Sequence, residues 1–351
     1  MEAPDRPERF DQERLAGLLT IGQAADAIEA ALLAGRGRAE DPARWAVPLA
    51  RGQLLVMPAE RDRFGGVKVT TVAADRPADG TGGLRLPGAG WGGGGPEADG
   101  AGPARIGGLY LLWETANLAL VGVFDAAALT ALRTPALSVV ATRRLAVDGA
   151  ERLAVFGAGP QARAHVEAMA AIRPVRRVEV VGRRPAPVAD LVEHCHRLGL
   201  DAGAGTPAAV AGADVVCTCT TATTPVFDGR LLAGHAHVNA IGSHSPTARE
   251  LDEATLARAQ VVVETRAAAL AEAGDLAIPI AAGTFDPGIV AADLAELVAG
   301  AGLDPSRLSV FKSVGVASAD LSVATEAYLR AGETRGAGGA GGARGAGGAR
   351  G

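Results

Sequence analysis

The sequence predicts an α/β protein, an open, doubly wound parallel sheet combined with a second, discontinuous α+β domain. Three observations predict it. From about residue 140, short runs that are almost entirely apolar alternate with helical segments, the pattern of parallel strands covered on both faces. A glycine turn, "FGAGPQ" at 156–161, joins the first of these runs to a helix. Before residue 140 the pattern differs, and a segment near 310–330 returns to that first part of the chain.

The elements follow in order. Residues 11–34 place Leu15, Leu18, Leu19, Ala25, Ile28 and Leu32 near helical spacing. "GQLLVMP" and "GGVKVTTV" read as strands. Residues 125–145 read as a helix with Asp125 at its N-cap, kinked or interrupted at Pro135. Then come strand 153–156, helix 160–172, strand 177–182, helix 186–198, and strands 213–220 and 236–242. Helix 247–259 and strand 260–265 continue the alternation. The expected division is 1–139 with 310–330 as one domain and 140–309 as the other. Within the first, 77–103 is too glycine-rich for a strand or helix and reads as a long loop. The tail, 331–351, is Gly/Ala/Arg-rich and is expected to be disordered.

Composition narrows the function classes. Hydrophobic residues make up 48% of 351, so a substantial core can form, and with aromatics at 3% that core must be Ala, Val and Leu. A net charge of −5 gives no electrostatic case for nucleic acid or an anionic membrane. No apolar run is long enough to span a bilayer, and the charged N-terminus lacks the apolar stretch of a signal peptide. Three cysteines make no disulfide framework, and the expected location is cytoplasmic. Cys217 and Cys219 alternate on one apolar strand and read as core, and no metal-ligand spacing is present.

The glycine turn carries the chemistry. Gly157 permits the tight turn after the strand, and Ala158 follows it. Gly159 lets a pyrophosphate approach the backbone at a helix N-terminus, where N–H groups and the helix dipole favour anions. Ala162 stands where a third glycine is usual, at a position that serves helix–strand packing. The 140–309 domain is thus of the Rossmann type. The next strand ends Val180-Val181-Gly182-Arg183-Arg184, with no acid to hold a ribose 2′-hydroxyl. An arginine pair suits a 2′-phosphate, so NADP(H) is favoured and NAD(H) stays open. The plainer reading is that Arg183 and Arg184 lie on a solvated loop.

Five stretches, "FGGVKVTTV", "LTALRTPALS", "VFGAGPQA", "HVNAIGSHSPTARELD" and "VFKSVGVASADLS", occur in that order. In series they resemble the ornithine cyclodeaminase/mu-crystallin family, from about Arg44 to Tyr328. The resemblance implies a Rossmann domain, a discontinuous catalytic domain that dimerises, and a small amino- or imino-acid substrate held by its carboxylate. It implies that Lys68 binds substrate and assists proton transfer, and that Arg133 holds the carboxylate, with Arg44 a further candidate. Arginine offers a planar fork for a carboxylate, and lysine can shuttle a proton. On the coenzyme side the resemblance implies Gly157, Gly159, Gln161, Thr220, Ala240, Ile241, Gly242, Ser313 and Val314.

The chain also departs from the family's cyclodeaminases. Their aspartate after "N-A-x-G" is His244 here, and their glutamate before "L-M-P" is Leu55. An apolar Leu55 is a poor partner for a second ammonium group. His244 is a candidate acid/base, since imidazole titrates near neutrality; it reads equally as an exposed turn residue. The leading expectation is an NAD(P)-dependent imine reductase or amino acid dehydrogenase with hydride transfer at the α-carbon. The alternatives are a cyclodeaminase that releases ammonia and a catalytically silent NADP(H)-binding protein. Retention of Lys68 and Arg133 argues against the last.

Overall fold

A computed structural model describes residues 6–35, 41–73 and 106–341. The chain begins with β1 (Glu8–Phe10), α1 (Gln12–Leu18), α2 (Ile21–Ala34), β2 (Trp45–Leu49), β3 (Gly52–Arg61), β4 (Phe64–Ala73), β5 (Ile106–Glu114) and β6 (Ala119–Asp125). A long α3 (Ala126–Leu145) leads to β7 (Arg152–Phe156), α4 (Pro160–Ile172), β8 (Arg177–Val181), α5 (Pro185–Arg197) and β9 (Asp201–Ala204). Next come β10 (Val215–Thr218), β11 (His237–Ala240), α6 (Glu253–Arg258), β12 (Gln260–Val263), α7 (Arg266–Glu272) and α8 (Gly274–Ala281). The order closes with β13 (Val290–Asp293), α9 (Leu294–Val298), β14 (Ser309–Lys312) and α10 (Ala317–Gly341). The 77–103 loop and residues 342–351 of the expected tail lie outside the described residues.

The chain divides into two compact units. The first takes Met1–Thr20, Arg44–Leu129 and Asp320–Gly351, and the second takes Ile21–Ala43 and Thr130–Ala319. In the first unit a six-stranded sheet has the order β1-β6-β5-β4-β3-β2. It is antiparallel except where β1 runs parallel to β6. Strand alternation buries one face: Leu55, Met57 and Ala59 of β3 point inward, as do Phe64, Lys68 and Thr70 of β4. Helix α10 belongs to this core through an edge-on contact between the Phe64 and Tyr328 rings, with centroids 5.9 Å apart.

In the second unit eight parallel strands run in the order β13-β12-β14-β11-β10-β7-β8-β9. Sequence order reverses between β7 and β10, so the crevice beyond their carboxyl ends is where an open α/β sheet takes its ligand. The core is aliphatic as composition demands, with Val155, Val180, Val216, Val238, Val261 and Val310 all inaccessible to solvent.

Several expectations need correction. The boundary expected after residue 309 falls inside β14, which lies mid-sheet between β11 and β12 with every residue buried. Residues 21–43 cluster with the second unit, where Arg143 of α3 pairs with Asp26 at 2.6 Å and Arg144 pairs with Glu29. The helix expected over 11–34 is two helices, because Leu19 turns extended and is buried. The helix expected over 247–259 shrinks to α6. Asp275 there takes the Glu250 and Leu251 N–H groups, and Asp252 caps the helix through Thr255 N. Helix α3 runs through Pro135 without a break, held among the buried residues Thr134 and Ala136. Helix α10 continues past 331 to Gly341, with Ala331 still buried, so the disorder expected from residue 331 does not hold for 331–341.

Two buried histidines tie the second unit together. His165 Nε2 meets Ser138 Oγ at 2.9 Å, and its Nδ1 donates to Gln161 O at 2.8 Å. Burial pushes His165 down to about 4, against that hydrogen bond. Burial likewise pushes His237 down to about 3, against its bond to Asn239. Both rings are neutral in the folded protein at pH 7. As pH falls below 6.5 the unfolded chain takes up protons that the folded chain refuses, so stability falls with acidification. Between pH 6.5 and 4, His165 should cost about 3 kcal/mol. Urea unfolding across that range checks this: His165→Asn should show a visibly shallower decline than the unsubstituted protein.

Candidate active site

The second unit gathers most of the expected coenzyme residues along the carboxyl edge of its sheet. Gly157 ends β7 with φ +102°, and its N–H donates to Val181 O at 2.8 Å. A Cβ at Gly157 would stand 2.4 Å from Cys219 O, so β7 and the end of β10 close on each other there. Gly159 is the N-cap of α4 with no side-chain cap bond, and a Cβ on it would meet nothing within 4 Å. Ala162 is fully buried, as its packing role requires. Gln161 Nε2 donates to Thr130 O at 3.4 Å, while its buried Oε1 has no hydrogen-bond partner. An open glycine cradle at a helix N-terminus beside an unmatched buried acceptor fits a dinucleotide.

Arg183 and Arg184 are exposed just past β8, and Arg184 is the N-cap of α5. A Cβ on Gly182 would lie 4.0 Å from Ala158 Cβ, which puts the approach to this pair beside the glycine turn.

Sequence reasoning gave no role to the residues that shape the rest of this edge. Glu250, fully buried, receives five hydrogen bonds. Thr220 N (2.8 Å) and Thr220 Oγ1 (2.7 Å) donate to Oε1, and Thr218 Oγ1 (2.8 Å), Gly242 N (2.8 Å) and Ser243 N (3.2 Å) donate to Oε2. One carboxylate thus pins the ends of β10 and β11. Thr220 gives both its hydrogens to Glu250, and Ile241 N donates to Thr218 O at 3.0 Å. Ala240 is wholly buried, and Gly242 must be glycine, since a Cβ there would fall 2.3 Å from Thr220 O. Lys312, also buried, donates to Ser243 O at 2.7 Å and pairs with Asp275 at 2.9 Å.

Glu264 plays the same part for the returning segment. Ser313 Oγ (2.9 Å), Val314 N (2.8 Å) and Gly315 N (2.7 Å) all donate to it, and Ser313 N donates to Ala240 O at 3.0 Å. Ser313 has therefore spent its donors, and what it offers a ligand is acceptors. Gly315 has φ +84°, and a Cβ there would lie 2.8 Å from an Arg133 terminal nitrogen, so Arg133 on α3 is seated against this turn.

The first unit holds Lys68, Arg44 and Leu55. Lys68 is 4% exposed and donates from Nζ to Asp320 Oδ2 at 2.7 Å, with Asp320 fully buried on α10. Across the sheet it faces Met57 on β3 and Tyr110 on β5. Leu55 is buried opposite Thr70. Arg44 is half-buried just before β2, an edge strand exposed along its length. His244, in the second unit, is exposed in the turn after β11.

The missed acids have a common reason: their meaning lies in donors distant in sequence. Glu250 and Asp320 sit inside "PTARELD" and "SADLS", stretches that carried the resemblance. Lys312, a lone charge in the apolar run "SVFK", was the visible anomaly. Cys217 is a core cysteine, its thiol pushed by burial up to about 12, whereas Cys219 lies just past β10 and is half-buried, not the core strand residue expected. Among the described residues no cluster of His, Cys, Asp and Glu could hold a metal ion, and no single helix is long and apolar enough to cross a membrane.

A family model for the ornithine cyclodeaminase/mu-crystallin family matches residues 82–335. The chain belongs to this family. A Delta(1)-pyrroline-2-carboxylate reductase of Bacillus cereus is 34% identical over 85% of this chain and 87% of its own length. The ketimine reductase mu-crystallin of Mus musculus is 34% identical over 62% of this chain and 67% of its own. The structure of Thermococcus litoralis Delta(1)-pyrroline-2-carboxylate reductase, in complex with NADH and L-proline, superposes with a TM-score of 0.81 at 28% identity. It covers 93% of this chain and 98% of that one.

Proposed function

We propose that this protein is an NAD(P)-dependent imine reductase acting on a small cyclic imino acid of the 1-pyrroline-2-carboxylate type. The observation that carries the choice over a cyclodeaminase is Leu55, an apolar side chain 6% exposed where family cyclodeaminases place an acid. A diamino acid would have to leave its second ammonium against leucine, whereas an aliphatic ring loses nothing there. The named reductases among the relatives support the same reading. Retention of Lys68 and Arg133 argues against a silent binder.

In this reading Gly157, Ala158, Gly159 and Gln161 hold the pyrophosphate. Thr220, Ala240, Ile241, Gly242, Ser313 and Val314 form the nicotinamide end. Bound coenzyme supplies the hydride. Arg133, with Arg44, binds the substrate carboxylate, Lys68 delivers the proton to nitrogen, and His244 is a second candidate for acid/base work. The arginine pair at 183–184 favours NADP(H) over NAD(H). The assembly is proposed as a cytoplasmic homodimer, with Trp45 and Val47 of β2, 64% and 47% exposed, available for an apolar interface. Light scattering of the purified protein checks the dimer.

One set of assays tests the function. NADPH consumption with 1-pyrroline-2-carboxylate should be rapid, with no ammonia released from ornithine. Arg183→Ala/Arg184→Ala should raise KM for NADPH about 10–100-fold and leave KM for NADH unchanged, since charge-assisted bonds to a phosphate are worth a few kcal/mol. Ammonia from ornithine without net NADPH change would mean a cyclodeaminase. An unchanged coenzyme ratio in the double variant would mean that the arginines only face solvent.

A further inference from the structure

Glu250 and Glu264 are both buried at the carboxyl edge of the parallel sheet, and every hydrogen-bond donor to either is a neutral N–H or O–H. The nearby charges balance otherwise. Lys312 and Asp275 form their own pair at 2.9 Å. The Arg133 guanidinium lies against Gly315, on the turn that Glu264 holds. Among the described residues neither Glu250 nor Glu264 forms an ion pair, and of the two it is Glu250 that holds Thr220 and Gly242. Three of its five partners are backbone N–H groups, of Thr220, Gly242 and Ser243, a donor set that suits a carboxylate with no proton of its own.

We propose that Glu250 is a positioning residue that also acts electrostatically, its buried negative charge favouring the oxidised, cationic form of the bound coenzyme over the reduced form. The inference rests on the reading that the Ala240–Gly242 turn lies under the nicotinamide. In that reaction a hydride forms the new C–H bond at the imine carbon. The C=N π pair settles on nitrogen as nitrogen takes a proton, and one positive charge is left on the nicotinamide ring. A fixed anion bonded to Gly242 N and Thr220 stabilises that charge as it develops, and no group has to reorganise to do so. The same placement explains why the charge is kept. A neutral side chain could hydrogen-bond some of these donors, but an amide would turn its own N–H groups toward them.

The test is equilibrium binding of oxidised and reduced coenzyme, followed by calorimetry and by quenching of protein fluorescence, with no turnover. The unsubstituted protein should bind the oxidised form at least as tightly as the reduced one. Glu250→Gln should raise the ratio of Kd(oxidised) to Kd(reduced) about tenfold, the effect of removing one buried charge at an effective dielectric near 20. Glu250→Asp keeps the charge on a shorter arm. It should weaken both forms together and hold the ratio within about twofold. Equal losses for both forms in Glu250→Gln would reduce Glu250 to a scaffold and overturn the proposal. So would an unsubstituted protein that binds the reduced form tenfold tighter, a result that needs no variant to fold. If neither coenzyme form binds the unsubstituted protein, it is the reductase reading that fails.

Discussion

Lys68→Ala should lower kcat/KM for imine reduction by at least about 10³-fold and also destabilise the protein by about 3–5 kcal/mol. The two effects have different causes. Lys68 is the one charged side chain on the inner face of β4, and its ammonium is matched by Asp320 at 2.7 Å. Removing the cation takes from a fully buried carboxylate its partner at 2.7 Å, which is the costly half of breaking a buried pair. The loss of rate would instead reflect, in the proposed reading, loss of the group that orients the substrate and protonates its nitrogen. Lys68→Ala/Asp320→Ala separates them. Chemical unfolding of the double variant should recover much of the lost stability, because both charges of the pair are gone, while steady-state rates stay as low as in the single variant. A Lys68→Ala protein with an intact rate would remove Lys68 from the site. A double variant that regains activity would mean that Lys68 acts only by neutralising Asp320.

The parallel sheet was legible because its strands carry a strong local signal. "LAVF", "VEVV" and "QVVV" are apolar on both faces, which only a strand covered on two sides tolerates. β9, with the sequence "DAGA", and β14, with "SVFK", gave no such signal. The first is small and partly exposed, and the second is a four-residue run whose neighbours, β11 and β12, come from elsewhere in the chain. The unit boundary was misplaced for that reason. The glycine turn could be read because its requirement is local: a positive φ and an open approach. Glu250 could not. Placed inside an expected helix, it reads as a solvated acid, and only the folded turn brings Thr218, Thr220, Gly242 and Ser243 around it. The same holds for Asp320, whose partner is 252 positions away.

The two glycines of the turn should fail in different ways, and the difference tests where the coenzyme lies. Gly157→Ala places a Cβ on a residue at φ +102° and 2.4 Å from the Cys219 carbonyl oxygen, a backbone atom that cannot swing aside. That combines roughly 1–3 kcal/mol of conformational strain with a clash that pushes β7 away from β10. The variant should be strongly destabilised and bind no coenzyme. Gly159→Ala places its Cβ in open space at φ −93°, so the fold has no quarrel with it, and thermal unfolding should shift little. The methyl group nevertheless stands over the first turn of α4, where in the proposed reading a pyrophosphate comes into contact with backbone N–H groups. Coenzyme Kd should rise by at least about tenfold, the loss of one or two such hydrogen bonds, with KM for the imino acid unchanged at saturating coenzyme. If Gly159→Ala binds coenzyme as tightly as the unsubstituted protein, the pyrophosphate does not cross that residue. The space seen at Gly159 would then be only the ordinary opening at a helix N-terminus. A loss of affinity without a loss of stability requires a ligand there, because beyond the adjoining residues of its own chain the protein places no atom within 4 Å of the added carbon.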